Sequence, residues 1–412
     1  MNSLEKALIL VVNCGSSSLK YEVYRMPEKE SIGKGKVERI GIEAGFIEQK
    51  SPKGTYFKET DVPDHTTAIT HLIEALTDKE KGIISSTKEI KAIGHRVVHG
   101  GEHYAESVII DSEVEKAIEE NIELAPLHNP ANLTGIKVCE KLFPGVKQIA
   151  VFDTAFHQTM PPAAYLYGIP RELYDKYKIR RYGFHGTSHR YVANRALQIL
   201  SRSFTNTNMI TCHLGNGASI TAIEMGKSAD TSMGFTPLEG VMMGTRSGDI
   251  DPYIIKFLFD RGYSMDDINT MLNKKSGVLG LSQISSDMRD VREAANKGNK
   301  NAIEALEVYA YRVKKYIGSY AAHLVKMDAL VFTGGVGENE SAIREQICRR
   351  MQNIGIVLDK EKNKELPKGT EGIISADYSP TTILVIPTNE ELQIAADTYE
   401  LIYNVKLKDF QK

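Results

Sequence analysis

Two glycine-rich turns in the chain have the residue types of a phosphate-binding loop. The first, Asn13-Cys14-Gly15-Ser16-Ser17-Ser18, follows the apolar run Ala7–Val12 and precedes Leu19–Tyr24, so it predicts a turn between two strands. Backbone N–H groups and hydroxyls lie close together in such a turn, and Lys20 adds a positive charge, which is the chemistry of a phosphate cradle. An ordinary hairpin has the same composition, because Gly and Ser favour turns, so the segment alone supports both interpretations.

The second turn lies in Met209–Glu224, where an ungapped alignment places Gly15 on Gly215. A further pair of segments is also similar: Ile149–Thr154 and Leu330–Gly335 each predict a strand that runs into a polar loop. Two matches in the same order predict two related domains that face each other across a cleft.

A third glycine-rich segment, Gly334–Gly337, follows a predicted strand and precedes a predicted helix from Ser341. Its glycines would let the backbone approach a nucleotide closely. The chain has no GxxxxGK[ST] motif and no GxGxxG after a strand, which argues against a P-loop or a Rossmann dinucleotide site. A phosphate-bearing ligand would therefore have to be bound by the three turns themselves.

Two arginines stand where a solvated charge is unusual. Arg96 lies between apolar residues in the predicted strand Ile90–His99, and Arg246 lies in a loop of small and acidic residues. A guanidinium is a fork of donors suited to a carboxylate or a phosphate. A structural ion pair would explain either arginine equally, and the sequence leaves both interpretations open.

His185 and His189 precede the predicted helix Tyr191–Leu200, which Thr187 or Ser188 would cap. A helix N-terminus attracts anions, so either imidazole could donate a hydrogen bond to a phosphoryl oxygen. His185, in the loop, is the better candidate, and we expect His189 to be structural.

Three other histidines, at positions 95, 99 and 103, have the spacing of metal ligands on a helix. Strand-like residues and Gly100-Gly101 interrupt any helix there, and HExxH is absent, so no zinc site is expected. His128 lies in a turn, where histidine is common.

Carboxylates follow two predicted strands. Asp153 ends one of them, at a position where ligand-binding acids often lie. Glu390 and Glu391 follow another, and Thr388 with Glu391 matches a capping box. Glu391 would then be structural, and Glu390 would be available for Mg²⁺.

The elements that must position these residues alternate between strands and helices, which predicts an α/β protein with mixed sheets. Predicted helices cover Thr66–Leu76, Asp111–Leu124, Asp251–Arg261, a long segment within Asp290–Lys326, and Glu390–Tyr403. A length of 412 residues indicates two domains.

Composition excludes several classes of function. A net charge of −2 gives no electrostatic case for binding nucleic acid or an anionic membrane surface. No segment approaches the roughly 20 apolar residues of a membrane span, and the N-terminal apolar run has no cleavage site. The 4 cysteines form no CxxC motif, which suits a reducing cytoplasm.

Taken together, the motifs resemble those of the acetokinase family, within the sugar kinase/Hsp70/actin superfamily. The resemblance covers nearly the whole chain without a departure at a motif position. Its motifs are VVNCGSSSLK, GHRVVHGG, LAPLHNP, VFDTAFH, RRYGFHGTSH, HLGNGAS, GTRSGDIDP, FTGGVGEN and PTNEE.

The resemblance implies two duplicated ribonuclease H-like, actin-like domains with a cleft between them. The N-terminal domain would comprise residues 1–153 with 391–412, and residues 154–390 would bind the nucleotide and form a homodimer, with the long helix within Asp290–Lys326 contributing. The implied reaction is the reversible in-line transfer of the ATP γ-phosphoryl group to acetate, giving acetyl phosphate and ADP. It requires Mg²⁺, for which Mn²⁺ could substitute, and we expect a cytoplasmic enzyme.

The resemblance also assigns roles to individual residues. The catalytic set would be Arg96, Asp153, His185 and Arg246, with His185 and Arg246 as transition-state stabilisers and Asp153 as an orienting group. Acetate would be bound by Arg96, Val98, Leu127, His128, Phe184 and Pro237, and Mg²⁺ by Asn13 and Glu390. The nucleotide and its phosphates would be bound by Ser16, Ser18, Lys20, His213, Leu214, Gly215, Asn216, Gly217, Asp287, Met288, Arg289, Gly334, Gly335, Val336, Gly337, Glu338 and Asn339.

Three alternatives remain. A propionate kinase of the same family would share every motif, although Val98 favours the smaller acid. A non-catalytic ATP switch of the Hsp70/actin kind has no use for two arginines beside an apolar pocket. A sugar kinase would need a general base, for which Asp153 could serve.

Overall fold

A computed structural model describes residues 4–126 and 128–407 of the chain. The chain divides into two compact units. Unit 1 comprises the described residues up to Gln158 together with those from Asn389 onward, and unit 2 comprises Thr159–Thr388. The expected domain boundaries after residues 153 and 390, and the roles expected of each domain, stay predictions.

Each unit contains one mixed β-sheet. Unit 1 has eight strands: β1 (Ala7–Cys14), β2 (Ser18–Met26), β3 (Glu30–Glu38), β4 (Phe46–Ser51), β5 (Gly54–Glu59), β6 (Ile90–Val97), β7 (Val108–Ile109) and β8 (Lys147–Phe152). Unit 2 has six: β9 (Asn208–Leu214), β10 (Ala218–Glu224), β11 (Lys227–Thr231), β12 (Ala329–Thr333), β13 (Gly372–Ile373) and β14 (Thr382–Val385).

Helices flank both sheets. Those of unit 1 are α1 (His65–Leu76), α2 (Ser112–Glu120), α3 (Asn129–Leu142) and, at the end of the chain, α15 (Glu390–Tyr403). Those of unit 2 are α4 (Pro162–Tyr165), α5 (Arg171–Tyr177), α6 (Gly186–Leu200), α7 (Tyr253–Phe259), α8 (Met265–Lys274), α9 (Gly277–Ser282), α10 (Met288–Asn296), α11 (Lys300–His323), α12 (Gly334–Asn339), α13 (Ser341–Cys348) and α14 (Lys360–Glu365). Short 3₁₀ turns cover Thr87–Glu89, Ala155–Thr159, Phe204–Asn206 and Gln352–Ile354. No helix of the described residues is long and apolar enough to cross a membrane.

The two sheets have the same topology. The strand order is β5-β4-β3-β2-β1-β6-β8-β7 in unit 1 and β11-β10-β9-β12-β14-β13 in unit 2. In each, three antiparallel strands are followed by two parallel strands and an antiparallel edge strand. Unit 1 adds only β4 and β5. The predicted α/β fold with mixed sheets is confirmed, and the two units are topological repeats.

The shared topology of the two sheets shows that one pair of segments matched from the sequence does not correspond. β12 pairs parallel to β9, which is the place of β6 beside β1. β14 pairs parallel to β12, which is the place of β8 beside β6. The prediction that Ile149–Thr154 corresponds to Leu330–Gly335 was therefore wrong, because two buried parallel strands of similar composition are hard to distinguish by pattern.

The two glycine turns also differ by one residue. Cys14 lies opposite Leu19 in unit 1, whereas Leu214 lies opposite Ala218 in unit 2. The ungapped alignment therefore fails after the turn, and a shift of one residue exchanges the faces of a strand. As a result Lys20 is the register partner of Asn13, and Ser219 holds the equivalent place opposite His213.

Alternate residues of β1 enter two separate cores, one on each face of the unit 1 sheet. Leu10 and Val12 pack in the cluster that includes α1 and α3. Ile9 and Val11 pack in the cluster that includes α15. A strand buried on both faces requires a continuous apolar run, which is why Ala7–Val12 has no polar residue.

Candidate active site

Arg96 lies near the end of β6, next to the end of β8. Its Nη2 donates a hydrogen bond to Asp153 Oδ2 at 2.9 Å. The Asp153 backbone N–H donates to the carbonyl oxygen of Val97 at 2.9 Å, which extends the pairing of the two strands, and the side chain of Asp153 is only 1% exposed. The structural ion pair, one of the two interpretations of Arg96 from the sequence, is therefore present. The binding of substrate by Arg96 stays a prediction.

A second carboxylate lies beside the same guanidinium. Glu390 is the first residue of α15, and its Oε2 lies 3.6 Å from Arg96 Nε. Arg96 Nε is buried and donates no hydrogen bond. Burial raises the pKa of Glu390 to about 7, although the positive charge of Arg96 acts in the opposite direction. One guanidinium thus compensates two carboxylates, and the charge of Glu390 is the less stabilised.

The carboxylates of Asp153 and Glu390 are suitable ligands for a magnesium ion. Mg²⁺ prefers oxygen ligands and is typically held by one or two carboxylates together with substrate phosphates and water. A cation there would also stabilise the charged form of Glu390. Asn13, at the end of β1, offers a further amide oxygen. No group of three or more His, Cys, Asp or Glu arranged to hold a metal occurs among the described residues.

Two asparagines of α3, which the sequence analysis missed, hold the ends of β6 and β1. Asn132 Oδ1 accepts from the Val98 N–H at 3.1 Å, and its Nδ2 donates to the Cys14 carbonyl at 2.8 Å. Asn129 bonds both the N–H and the carbonyl of His99. Both asparagines are buried, and the only sequence signal was two amides on the apolar side of a helix.

Other residues of unit 1 that were predicted from the sequence are placed as follows. His128 occupies the position preceding α3. Leu127, predicted to contact the acyl group, lies outside the described residues. His65 Nε2 is hydrogen bonded to the Gly15 carbonyl at 2.8 Å, a contact with no sequence signal. Lys20 and Glu391 are among the residues that line a groove of about 300 Å³.

In unit 2, His185 immediately precedes α6 with φ of 58°. The helix begins at Gly186, so Thr187 and Ser188 lie inside it, and the prediction that one of them caps it was wrong. The His185 Nδ1 is hydrogen bonded to Ser219 Oγ at 2.9 Å. Its ring stacks on that of His213, with centroids 4.2 Å apart.

Two further hydrogen-bond systems join α6 to β9 and to the end of β14. His189 bonds Thr211 through Nδ1 and Ser219 through Nε2, each at 2.7 Å, as its expected structural role requires. Ser188 Oγ is bonded to His213 Nδ1 and to Thr388 Oγ1, each at 2.8 Å. The imidazoles are therefore held by hydroxyl groups.

Arg246 and His185 meet at the second glycine turn. A methyl group placed on Gly217 would lie 3.4 Å from His185 Nε2 and 3.6 Å from Arg246 Nη1. Arg246 Nη1 also donates to the Pro237 carbonyl at 3.3 Å. Burial lowers the pKa of Arg246. Unlike Arg96, this half-buried cation forms no ion pair with a carboxylate in the part of the chain that the structure describes.

The segment Gly334–Gly337, predicted as a turn, forms the first residues of the short helix α12. Gly334 has φ of 76°, and a Cβ there would meet the Leu214 carbonyl oxygen at 2.7 Å, so glycine is required. Glu338 Oε1 accepts from the Gly334 N–H at 2.9 Å and from the Thr388 N–H at 3.1 Å. Glu338 thereby stabilises the backbone that the glycines expose.

Thr388 is consequently not the cap of α15, as the capping box had predicted. Asn389 is the N-cap, and its Oδ1 accepts from the Leu392 N–H at 2.9 Å. The predicted capping box was wrong: the cap lies one residue later, and the third residue of the helix is Leu392 rather than Glu391.

Of the predicted adenine-flanking residues, Asp287 caps α10 and forms an ion pair with Arg289. Hydrogen bonds from Arg289 lower the pKa of Asp287 to about 2. Met288, the residue between them in the sequence, is buried. The pair is exposed, and its part in nucleotide binding stays a prediction.

The chain is similar to known proteins over nearly its whole length. Residues 8–396 match the sequence model of the acetokinase family. An acetate kinase of Desulfitobacterium hafniense is 56% identical over 96% of this chain and 99% of its own length. The crystal structure of Porphyromonas gingivalis acetate kinase has a TM-score of 0.93 and 49% identity, covering 96% of this chain and 100% of that one. A propionate kinase from Francisella tularensis has a TM-score of 0.89 and 44% identity, covering 97% and 100%.

The fold and the site thus define an enzyme, a phosphotransferase with a carboxyl group as acceptor. The chain belongs to the acetokinase family. The resemblance stated from the motifs is confirmed.

The raised pKa of Glu390 predicts a pH-dependent effect on stability. Between its ordinary pKa of 4.5 and about 7, the folded state holds a proton that the unfolded state has lost, so this group makes stability fall as pH rises through that window. Glu390→Gln should remove the effect. In thermal melts without divalent cations, the melting temperature of the variant relative to the wild type should be higher at pH 8 than at pH 5.

Glu119→Gln, an exposed change on α2, is the matched control and should give the same offset at both pH values. An offset for Glu390→Gln that does not change with pH would contradict the assigned shift.

Proposed function

We propose that this chain catalyses the reversible, Mg²⁺-dependent transfer of the γ-phosphoryl group of ATP to acetate, forming acetyl phosphate and ADP. The proposal depends on two arginines. Arg96 is held by carboxylates at a strand end. Arg246 lies near His185 and has no carboxylate partner among the described residues. Relatives with 54–56% identity that carry the name acetate kinase support the same conclusion.

The chemistry explains why these residues suffice. Acetate is already ionised at neutral pH, so its oxygen needs no general base. The enzyme has to place two anions in line and to neutralise charge in the transition state. Arg96, oriented by Asp153, would bind the carboxylate, and Arg246 and His185 would donate to the transferred phosphoryl group.

Glu390, Asp153 and Asn13 would hold Mg²⁺, which neutralises phosphate charge when bound; Mn²⁺ has the same ligand preferences. The first glycine turn and Lys20 would bind the transferred phosphoryl group. The nucleotide would be bound by the turn Gly215–Gly217 and by the N-terminal residues of α12, with Asp287 and Arg289 at the adenine.

The family resemblance assigns recognition of the acyl group to Val98, Leu127, Phe184 and Pro237. An additional methylene changes binding by only about 1–3 kcal/mol in a small apolar pocket, so propionate should be a poorer substrate rather than an excluded one. The similarity to the Francisella tularensis protein keeps a propionate kinase as the second candidate.

We further propose that the enzyme is a cytoplasmic homodimer. All four cysteines are free thiols, which suits a reducing compartment. The long helix, expected to contribute to the dimer, is α11, whose apolar residues are mostly buried within unit 2. Exposed apolar residues instead cluster on α7 and just after it, including Tyr253, Phe257 and Phe259. Such a patch favours an interface between subunits.

Acyl phosphate formation tests the proposed activity. With ATP and Mg²⁺, hydroxylamine should trap an acyl hydroxamate with acetate, less with propionate and least with butyrate. Equal or greater product with propionate would favour the second candidate. Absence of product with all three acids would overturn the proposal.

Substitution of either arginine should strongly reduce the turnover number. Arg96→Ala and Arg246→Ala should each lower kcat by on the order of 10²-fold or more, the effect of removing a transition-state donor. Lysine at either position restores charge but not the planar fork, so Arg→Lys should recover activity only in part. Near-normal kcat in both alanine variants would rule out the assigned roles.

Phe257→Glu should weaken self-association, because it places a charge on the apolar patch of α7. Sedimentation velocity at micromolar concentration should show a dimer for the wild type and a larger monomer fraction for the variant. Tyr378→Glu, at a residue that is 80% exposed elsewhere in unit 2, is the control and should remain dimeric. A wild-type monomer would refute this part of the proposal.

A further inference from the structure

The guanidinium of Arg246 makes two long hydrogen-bond contacts in the part of the chain that the structure describes. Its Nη1 donates to the Pro237 carbonyl at 3.3 Å and lies 3.8 Å from Met243 Sδ, and both acceptors are uncharged. Arg96, by contrast, is oriented by two carboxylates. A donor to developing charge has to be held in place before the reaction. The position of Arg246 therefore depends on what fixes its backbone.

The backbone around Arg246 is bonded to the start of α9. Three consecutive carbonyls, those of residues 243–245, accept hydrogen bonds from the N–H groups of Val278 at 2.9 Å, Leu279 at 2.9 Å and Ser276 at 3.0 Å, in that order. The N–H groups of the first turn of a helix lack partners within the helix. The carbonyls beside Arg246 supply these partners, so the loop and α9 are joined as one structure.

The same loop is also bonded to the end of α8. The Ser247 N–H donates to the Leu272 carbonyl at 3.0 Å, and Thr245 Oγ1 donates to the Asn273 carbonyl at 3.0 Å. Carbonyls in the last turn of a helix likewise lack partners within it. Residues 272–279, which we call the α8–α9 segment, thus hold the backbone on both sides of Arg246.

Gly277 lies at the closest approach between this segment and the loop. Its φ is 65°, a conformation that favours glycine. A Cβ at this position would lie 2.2 Å from the Met243 carbonyl oxygen, 2.8 Å from the Arg246 carbonyl oxygen and 3.1 Å from the Arg246 nitrogen. Any larger residue would therefore push directly on the backbone of Arg246.

We propose that the α8–α9 segment positions Arg246 for phosphoryl transfer and that Gly277 is a positioning residue, which acts through Arg246. The absence of a side chain at Gly277 lets the segment approach closely enough to bond all three loop carbonyls. The inference rests on the proposed function for the role of Arg246 in the reaction. The support of the Arg246 backbone by Gly277 is a structural statement that can be measured without any activity.

Gly277→Ala tests the role in catalysis. The new methyl group and the Met243 carbonyl must separate by about 1 Å to reach van der Waals contact, and a displacement of that size can cost on the order of 10²-fold in rate. We expect kcat to fall by that order while KM for ATP and for acetate stays within about threefold, because a donor to the transition state is misplaced.

Gly298→Ala is the matched control. Gly298 also has positive φ, 85°, but a Cβ there would meet no atom of the described residues within 4 Å apart from its chain neighbours. The control shares the backbone strain of the test variant and lacks its steric contact, so kcat should stay within about twofold of the wild type. Normal kcat in Gly277→Ala, or an equal loss in Gly298→Ala, would overturn the proposal.

Thr245→Val tests the support without changing a glycine, and so covers the case in which Gly277→Ala does not fold. Valine has the shape of threonine but cannot donate to the Asn273 carbonyl, whereas Thr245→Ser keeps the donor. The valine variant should lower kcat about fivefold, as the loss of one hydrogen bond implies, and the serine variant should restore most of it. Unchanged kcat in Thr245→Val would contradict a positioning role for the segment.

A double-mutant cycle shows whether Gly277 acts through Arg246. In the Arg246→Ala background, Gly277→Ala should lower kcat by less than about twofold further, because the group that it positions is already absent. A full additional loss would mean that Gly277 acts elsewhere and would overturn the proposal.

Crystal structures of the two alanine variants provide a measurement that is independent of activity. The backbone of residues 243–246 should be displaced by about 1 Å in Gly277→Ala and should be unchanged in Gly298→Ala. An undisplaced loop in Gly277→Ala would refute the support. If the loop is displaced but the wild type forms no acyl phosphate, the proposed function fails and the support of Arg246 stands.

Discussion

The charge of Arg96 is largely removed from water, and its compensation shapes unit 1. Removing a positive charge from water is costly unless carboxylates and hydrogen bonds replace the solvent. Three elements far apart in the chain meet that requirement: β6 supplies Arg96, the residue after β8 supplies Asp153, and the first turn of α15 supplies Glu390. The last helix of the described residues therefore closes the first unit, although Glu390 follows Asp153 by 237 residues and Arg96 by 294 residues.

The same topology in the two units carries different chemistry. In unit 1 the sheet presents paired charges, and in unit 2 it presents imidazoles bonded to hydroxyls. The one-residue difference at the glycine turns contributes to this contrast, because it sets Lys20 opposite Asn13 in one unit and Ser219 opposite His213 in the other. Duplication thus preserved the backbone while the side chains at the strand ends diverged.

Pattern alone predicted much of the fold. Strand and helix positions followed from apolar periodicity and from glycine, as with α15, whose predicted bounds Glu390–Tyr403 agree with the structure. Helix starts were less predictable, because α6 begins after a histidine with positive φ and α15 is capped by Asn389 rather than Thr388. Both depend on where a side chain finds a partner, which local composition does not specify.

The sequence by itself determined the residue types of the site: glycines where the backbone needs positive φ or close approach, two arginines in unusual surroundings, and carboxylates after strands. Only the tertiary structure decided their partners. Three sets of contacts join segments distant in sequence: the pairing of Arg96 with Asp153 and Glu390, the asparagine contacts of α3, and the hydrogen bonds of His185 and His189 with Ser219 and Thr211. A hydrogen bond is a property of two positions in space, so its geometry becomes defined only when the sheet has brought those positions together.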